Sequence, residues 1–221
     1  MLSMTTMLTT PTSGYDDSMR SPTPTPENRS YHHGDLRAAL LAAAERTLRE
    51  KGVGSLSLRE LARDVGVSHA APGRHFKDKQ ALLNALALAG YDRMAQALEA
   101  ADDPALPFQD HLTALARSYL GFALANAELL ELMYARKHEP DASDQMAAAI
   151  DRTFGFLERA VAAAQQRGEI VEGSPEQLTL IVGATLQGLA AFAVTGTLAT
   201  DEALAAVEEV VRQLLHGLAP R

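Results

Sequence analysis

Apolar residues recur along this chain three and four apart, from about residue 34 almost to its end, without the alternation in twos that marks a strand. Leu36, Leu40, Leu41, Ala44 and Leu48 share one face of a first helix, predicted from about Gly34 to Lys51 and ended by Gly52 and Gly54. Two short helices follow. Ser57 is positioned to cap the first, which lines up Leu58, Leu61, Ala62 and Val65 and breaks at Gly66. Ser68 is positioned to cap the second, expected to end near Phe76. A long helix is predicted from about Lys79 to Ala101, with Asp102, Asp103, Pro104 and Pro107 closing it. Helices over about Phe108–Ala125 and Glu128–Lys137 come next, and Pro140 and Asp141 separate them from another over Ser143–Arg167. Ser174 as cap and Pro175 in the first turn open a helix ending near Gly196, and Asp201–Leu218 forms the last. The expectation is an all-α chain of about nine helices.

Charge divides the chain. The 221 residues carry a net −8, yet residues 29–93 hold eleven Lys and Arg against seven acids (+4), and residues 94–221 hold eight against eighteen (−10). A basic module joined to an acidic one localises any attraction for phosphate in the first. There is no cysteine, which excludes a disulfide framework and a thiolate zinc site. The first 28 residues are rich in Thr, Ser and Pro, with neither a basic start nor an apolar run, and are expected to be a disordered tail rather than a secretory signal. Leu178–Ala199 carries no charge and is long enough to span a bilayer. Its threonines and glycines, and its acidic flanks, favour a helix buried in a core or subunit interface; no membrane partner is expected and the location is expected to be cytoplasmic.

The basic module holds the most telling pattern. Two short helices joined at Gly66-Val67, with small Ala62 and Gly66 where they would cross, form a helix-turn-helix. Arg59, His69, Arg74, His75, Lys77 and Lys79 are left for the outside, which suits an element that enters a DNA major groove.

Tyr31-His32-His33-Gly34-Asp35-Leu36-Arg37, Ser57-Leu58-Arg59-Glu60-Leu61-Ala62, Gly66-Val67-Ser68 and Arg74-His75-Phe76-Lys77-Asp78-Lys79-Gln80-Ala81-Leu82-Leu83 resemble the tetracycline-repressor-like (TetR) transcriptional regulators. The motif match covers roughly residues 31–90. The resemblance implies a homodimer that binds a palindromic operator through residues 29–78, with residues 79–221 dimerising and holding an inducer; repression is the family tendency. It also implies DNA contacts from Ser57, Arg59, Ser68, His69, Ala70, Ala71, Gly73, Arg74, His75 and Lys79. The guanidinium fork of Arg59 suits a phosphate or a guanine edge, His69 can donate to a base or phosphate, and Ala70 or Ala71 can touch a thymine methyl. Lys79 begins a helix, where its charge and the free N–H groups both attract an anion. Gly73 departs from the family, which usually has an aromatic there, and Pro72-Gly73 weakens the helix expected to read DNA.

In the acidic half, Met94, Leu98, Leu115, Tyr119, Phe122, Leu129, Met133, Tyr134, Phe154 and Leu157 fall on apolar helix faces, with Gln187 a polar candidate. The resemblance makes these the expected wall of a site for an apolar small molecule, although such side chains at helical spacing more often form core than pocket. The last two helices offer Leu178, Ile181, Val182, Leu186, Leu189, Phe192, Leu204, Val207, Val211 and Leu214 for a four-helix bundle with a second copy, or for packing within one chain. No phosphate loop, nucleophile elbow or zinc-protease motif occurs, and His32-His33 lacks a third metal ligand, so no catalytic residue, metal site or cofactor is expected. The alternatives are a helical protein-binding adaptor that has lost operator binding and an all-α enzyme acting on an apolar substrate.

Overall fold

The computed structural model describes residues 33–137 and 143–218, which form one compact unit. The expected tail over residues 1–28, and the motif residues Tyr31 and His32, lie outside the described residues. Among the described residues there are eight α-helices and no strand: α1 (His33–Lys51), α2 (Leu58–Val65), α3 (Lys79–Glu99), α4 (Phe108–Ala125), α5 (Ala127–Arg136), α6 (Asp144–Gln166), α7 (Pro175–Val194) and α8 (Thr200–Leu218). The boundaries follow local chemistry. Asp78, Ser143 and Ser174 each accept a hydrogen bond from the backbone N–H three residues on, at Ala81, Met146 and Gln177, and so start α3, α6 and α7. Ser57 occupies the cap of α2 in an extended conformation without a side-chain capping bond. Gly66 ends α2 with φ 75°, its N–H and that of Val67 closing back on Ala62 O, a conformation that favours glycine.

The second short helix expected between Ser68 and Phe76 is not an α-helix. Residues 69–75 form a turn and a single 3-10 turn, Pro72–Arg74, in which Ala71, Arg74 and His75 donate to carbonyls three residues back. Pro72 is the physical reason. It has no N–H to return to Ser68 O, so the α-helical ladder is cut where a second turn would begin. This accounts for the difference from nine helices.

One continuous buried cluster runs from Leu40 in α1 to Val211 in α8, and α3 is its axis, packing on α1, α4, α5 and α6. Gly90 permits the closest approach: a Cβ there would lie 2.6 Å from Met133 Sδ and 3.2 Å from Leu129 Cγ of α5. Beside it, Tyr91 is buried and donates its hydroxyl to Met133 O at 3.1 Å. Helix α7 lies on α4 and α6, and α8 on α4 and α7.

The apolar residues of α7 and α8 divide by exposure, with Leu189 and Leu214 half-buried between the extremes. Leu178, Val182, Leu186, Val207 and Val211 are buried within this one chain, so only part of the group expected for a bundle with a second copy is available to it. Ile181, Phe192 and Leu204 are exposed, together with Leu180 and Val194, which the sequence pattern did not single out. By length and composition α7 could cross a membrane (mean hydropathy 1.6), but a third of that stretch is buried against its own fold.

Candidate nucleic-acid interface and ligand cavity

The basic end is built around α2 and the turn that follows. Arg59 is exposed in the first turn of α2, and Ser68, His69, Ala70, Gly73, Arg74 and Lys77 are exposed along the turn, with Ala71 and His75 half-buried. Pro72 and Phe76 are buried and hold the turn onto the core, with the Arg37 guanidinium 5.5 Å from the Phe76 ring centroid. Among the described residues no carboxylate lies within ion-pairing distance of Arg59, Arg74 or Lys77, so their charges are available to an external anion. Lys79 is the first residue of α3, as its sequence position suggested, and donates Nζ to Gly54 O at 3.2 Å. That bond ties α3 to the loop before α2 and leaves the ammonium two further protons. A Cβ at Gly73 would meet nothing within 4 Å, so the turn there has open space where the family carries an aromatic.

The second feature is a cavity of about 70 Å³ between α3, α4, α5, α6 and α7. Seven residues singled out in the sequence meet there: Met94, Leu98, Leu115, Tyr119, Tyr134, Phe154 and Leu157. Four others do not line it, among them Leu129, which is buried in α5. Phe122 and Met133 are buried elsewhere in the core, Met133 turned onto Gly90, and Gln187 stands behind the wall, where Oε1 accepts from the hydroxyls of Tyr119 and Tyr134 (2.9 Å for Tyr134). Burial raises the pKa of both phenols above the ordinary tyrosine value, strongly for Tyr119, which keeps them neutral donors. The wall is completed by Thr153, Phe156, Gly183 and Leu186. Of these, Gly183 carried a signal that could have been read: a glycine inside an apolar helix leaves a gap, here facing Leu157 Cδ2 at 3.9 Å.

Two polar ties that sequence spacing did not expose flank the cavity along α3. Arg136, only 7% exposed, donates Nε to Asn84 Oδ1 at 2.7 Å and Nη1 to Gln80 Oε1 at 2.8 Å, fastening α5 to the first two turns of α3. His111, buried in α4, pairs through Nε2 with Asp102 Oδ1 at 2.7 Å just beyond the other end of α3. Among the described residues no group of three His, Cys, Asp or Glu side chains could hold a metal ion.

Comparison with known proteins decides the family. The family described as bacterial regulatory proteins, tetR family, matches residues 40–86, and that described as tetracyclin repressor-like, C-terminal domain, matches residues 112–218. This chain belongs to the TetR family. A solved structure described as a protein with unknown function from Rhodococcus sp. RHA1 is 44% identical, covers 87% of this chain and all of that one, and superposes with a TM-score of 0.77. A bacterial regulatory protein of the tetR family from Rhodococcus RHA1, 22% identical, covers 84% of this chain and 98% of that one at a TM-score of 0.69, which speaks to the fold alone. An HTH-type transcriptional regulator of Mycobacterium tuberculosis is 28% identical over 141 residues, 61% of this chain; the match spans 59% of that relative, less than two thirds of its length.

Proposed function

We propose that this TetR-family protein is a DNA-binding transcription regulator, located in the cytoplasm, that holds a palindromic operator as a homodimer and releases it when an apolar small molecule fills the cavity. The observation that carries the reading is the set of uncompensated cations, Arg59, Arg74 and Lys77, presented around an exposed turn on a core-anchored frame. Residues 29–78 are its DNA-binding part and residues 79–221 its sensor and dimer part. Dimerisation is supported by α7, where Leu180 (70% exposed), Ile181, Ala184, Ala191 and Phe192 (57% exposed) form an apolar stripe at helical spacing. A second copy covers this stripe and the adjoining Leu204 of α8.

The transmission runs through α3. Met94 and Leu98, near its carboxy-terminal end, line the cavity, and Lys79 and the ties to Arg136 stand at its start. An effector that prefers a displaced Met94 and Leu98 tilts α3 and changes the separation of the two DNA-reading turns in the dimer. Because Ala70 and Ala71 offer little hydrogen-bond readout, DNA shape and half-site spacing contribute much of the specificity.

The experiment is selection of random duplex DNA by the purified protein, followed by titration of the winning duplex across salt concentrations. A palindromic consensus whose affinity falls steeply with salt is expected, with Arg59→Ala or Arg74→Ala reducing the salt slope by about 1. Gly73→Tyr, which has room, is expected to tighten binding. The single 3-10 turn at Pro72–Arg74, in place of an α-helix, favours one rival, an adaptor without operator binding. No enrichment over non-specific binding establishes that rival instead.

A further inference from the structure

The cavity accounts for only one end of its occupant. Its three hydroxyls are already engaged within the protein: Tyr119 and Tyr134 donate to Gln187, and Thr153 Oγ1 lies 2.8 Å from Ala149 O and 3.2 Å from Tyr91 O. What the cavity presents is therefore hydrocarbon and ring surface. Its 70 Å³ is far below the roughly 300–1,000 Å³ of an ordinary small-molecule site, so a ligand seated there continues beyond the wall.

Phe156 of α6 shows where. It lines the cavity and also a much larger cleft of about 610 Å³ between α3 and α6. The charges of that cleft are mostly matched in place. Arg152 Nη2 pairs with Asp92 Oδ1 at 2.6 Å, and Asp102 is held by His111. Arg159 differs: its guanidinium lies over the Phe156 ring, 4.7 Å from the centroid, with no carboxylate of the described residues within pairing distance. Gly155 gives it the room, because a Cβ there would come within 3.0 Å of Arg159 Nη1. A cation thus rests on the very ring that separates the apolar cavity from the polar cleft, its N–H fork unclaimed. Glu99 also lines the cleft without a cation partner, but it is not on the shared wall residue.

From this juxtaposition we infer that the effector is an amphipathic acid, its hydrocarbon part in the cavity and its carboxylate or other anionic group held at the mouth by Arg159. The inference rests on the cavity being the effector site. Phe156 is the partition that turns aside for the chain, and Arg159 selects the charge of the head.

The test uses the full chain and three eight-carbon probes, octanoate, octanol and octylammonium, titrated by calorimetry into the protein and its Arg159→Gln variant. Octanoate is expected to bind about fivefold more tightly than octanol, the scale of one solvent-accessible ion pair, and Arg159→Gln is expected to erase that preference while leaving octanol unchanged. Octanol binding as well as octanoate, octylammonium binding best through Glu99, or a preference that survives Arg159→Gln each overturns the anionic head. If octanol binds and Gly183→Leu, which fills the cavity, abolishes it, the effector cavity stands even where the head group fails. Binding by none of the three probes removes the cavity reading and this inference with it.

Discussion

The two ends of α3 differ in what their inner sides rest on. Its first turns are fixed by directional polar bonds: Lys79 to Gly54 O, and Arg136 to Gln80 and Asn84. Its last turns carry polar bonds too, from Arg93 Nη1 to Glu45 Oε1 at 3.0 Å, Arg152 Nη2 to Asp92 Oδ1 at 2.6 Å and Ser118 Oγ to Ala97 O at 2.8 Å, but their inner side, at Met94 and Leu98, rests on apolar side chains around a void. Hydrogen bonds have a narrow geometry and break when it changes, whereas apolar contacts beside a cavity shift by rotamer changes at small cost. On its cavity side the carboxy-terminal end of α3 is the more compliant and the amino-terminal end the stiffer. Under the proposed function, a displacement imposed at the compliant end is carried along the rod to the stiff end, where α2 and the basic turn are attached.

Removing the stiff end's largest polar tie should have the largest effect. Arg136→Met keeps most of the aliphatic bulk and deletes two charge-assisted hydrogen bonds, so a loss of about 3 kcal/mol in unfolding free energy is expected. Chemical denaturation checks this, and a change below 0.5 kcal/mol would mean that water replaces Arg136 without penalty. Between the ends, Gly90→Ala forces its Cβ into Met133 and Leu129, both buried, and is expected to cost about 2 kcal/mol. Pairing it with Met133→Ala should recover part of that loss, because the clash and the side chain it strikes are then removed together.

Much of this arrangement was legible in the sequence, and the remainder shows where local reading ends. The limits of α4 and the caps at Ser143 and Ser174 follow from turn and cap chemistry within a few residues. Pro72-Gly73 signalled a weakened helix, and the structure carries that weakening through to a 3-10 turn. Which face of α5 meets the cavity is a different matter. Met133 and Tyr134 are neighbours on a short helix, and the choice between them is made by Gly90, more than forty residues earlier, which draws Met133 toward α3 and leaves Tyr134 for the cavity. The same holds for the buried pair Asp102–His111, where a turn residue and a helix residue meet only after α4 folds back. Helices α7 and α8 are apolar on more than one side, so periodicity could not divide the residues that pack inward from those left outside.

At the compliant end a smaller effect is expected. Tyr134→Phe removes a hydrogen bond to Gln187 while Tyr119 keeps its own, for a loss of about 1 kcal/mol. It also alters the response to alkali. Burial raises the Tyr134 pKa in the folded protein, so the unfolded chain, with ordinary tyrosine near 10, loses its proton first. The stability due to the neutral phenol is complete below about pH 10 and declines as pH rises beyond it. The variant should therefore lose stability less steeply than the parent in denaturation curves above pH 10, and parallel slopes would show that the Tyr134 hydroxyl is solvated.

The smallest change in stability, and the sharpest test of the stiff end, is expected from Lys79→Met. The lost bond to Gly54 O is exposed, so about 0.5 kcal/mol is the expected cost to folding. Under the DNA-binding reading the consequence on DNA is larger in proportion. Lys79 has protons to spare beside the first free N–H groups of α3, and a phosphate placed there gains from both. Removing the ammonium should lower duplex affinity roughly equally for all sequences and reduce the salt slope by about 1. The two roles separate cleanly, since a folding loss with an unchanged salt slope makes Lys79 a tie between α3 and the loop before α2 and nothing more. A reduced slope at nearly unchanged stability makes the same residue the point where the stiff end of α3 meets the nucleic-acid backbone, which is where a tilt of the helix would be felt by the DNA.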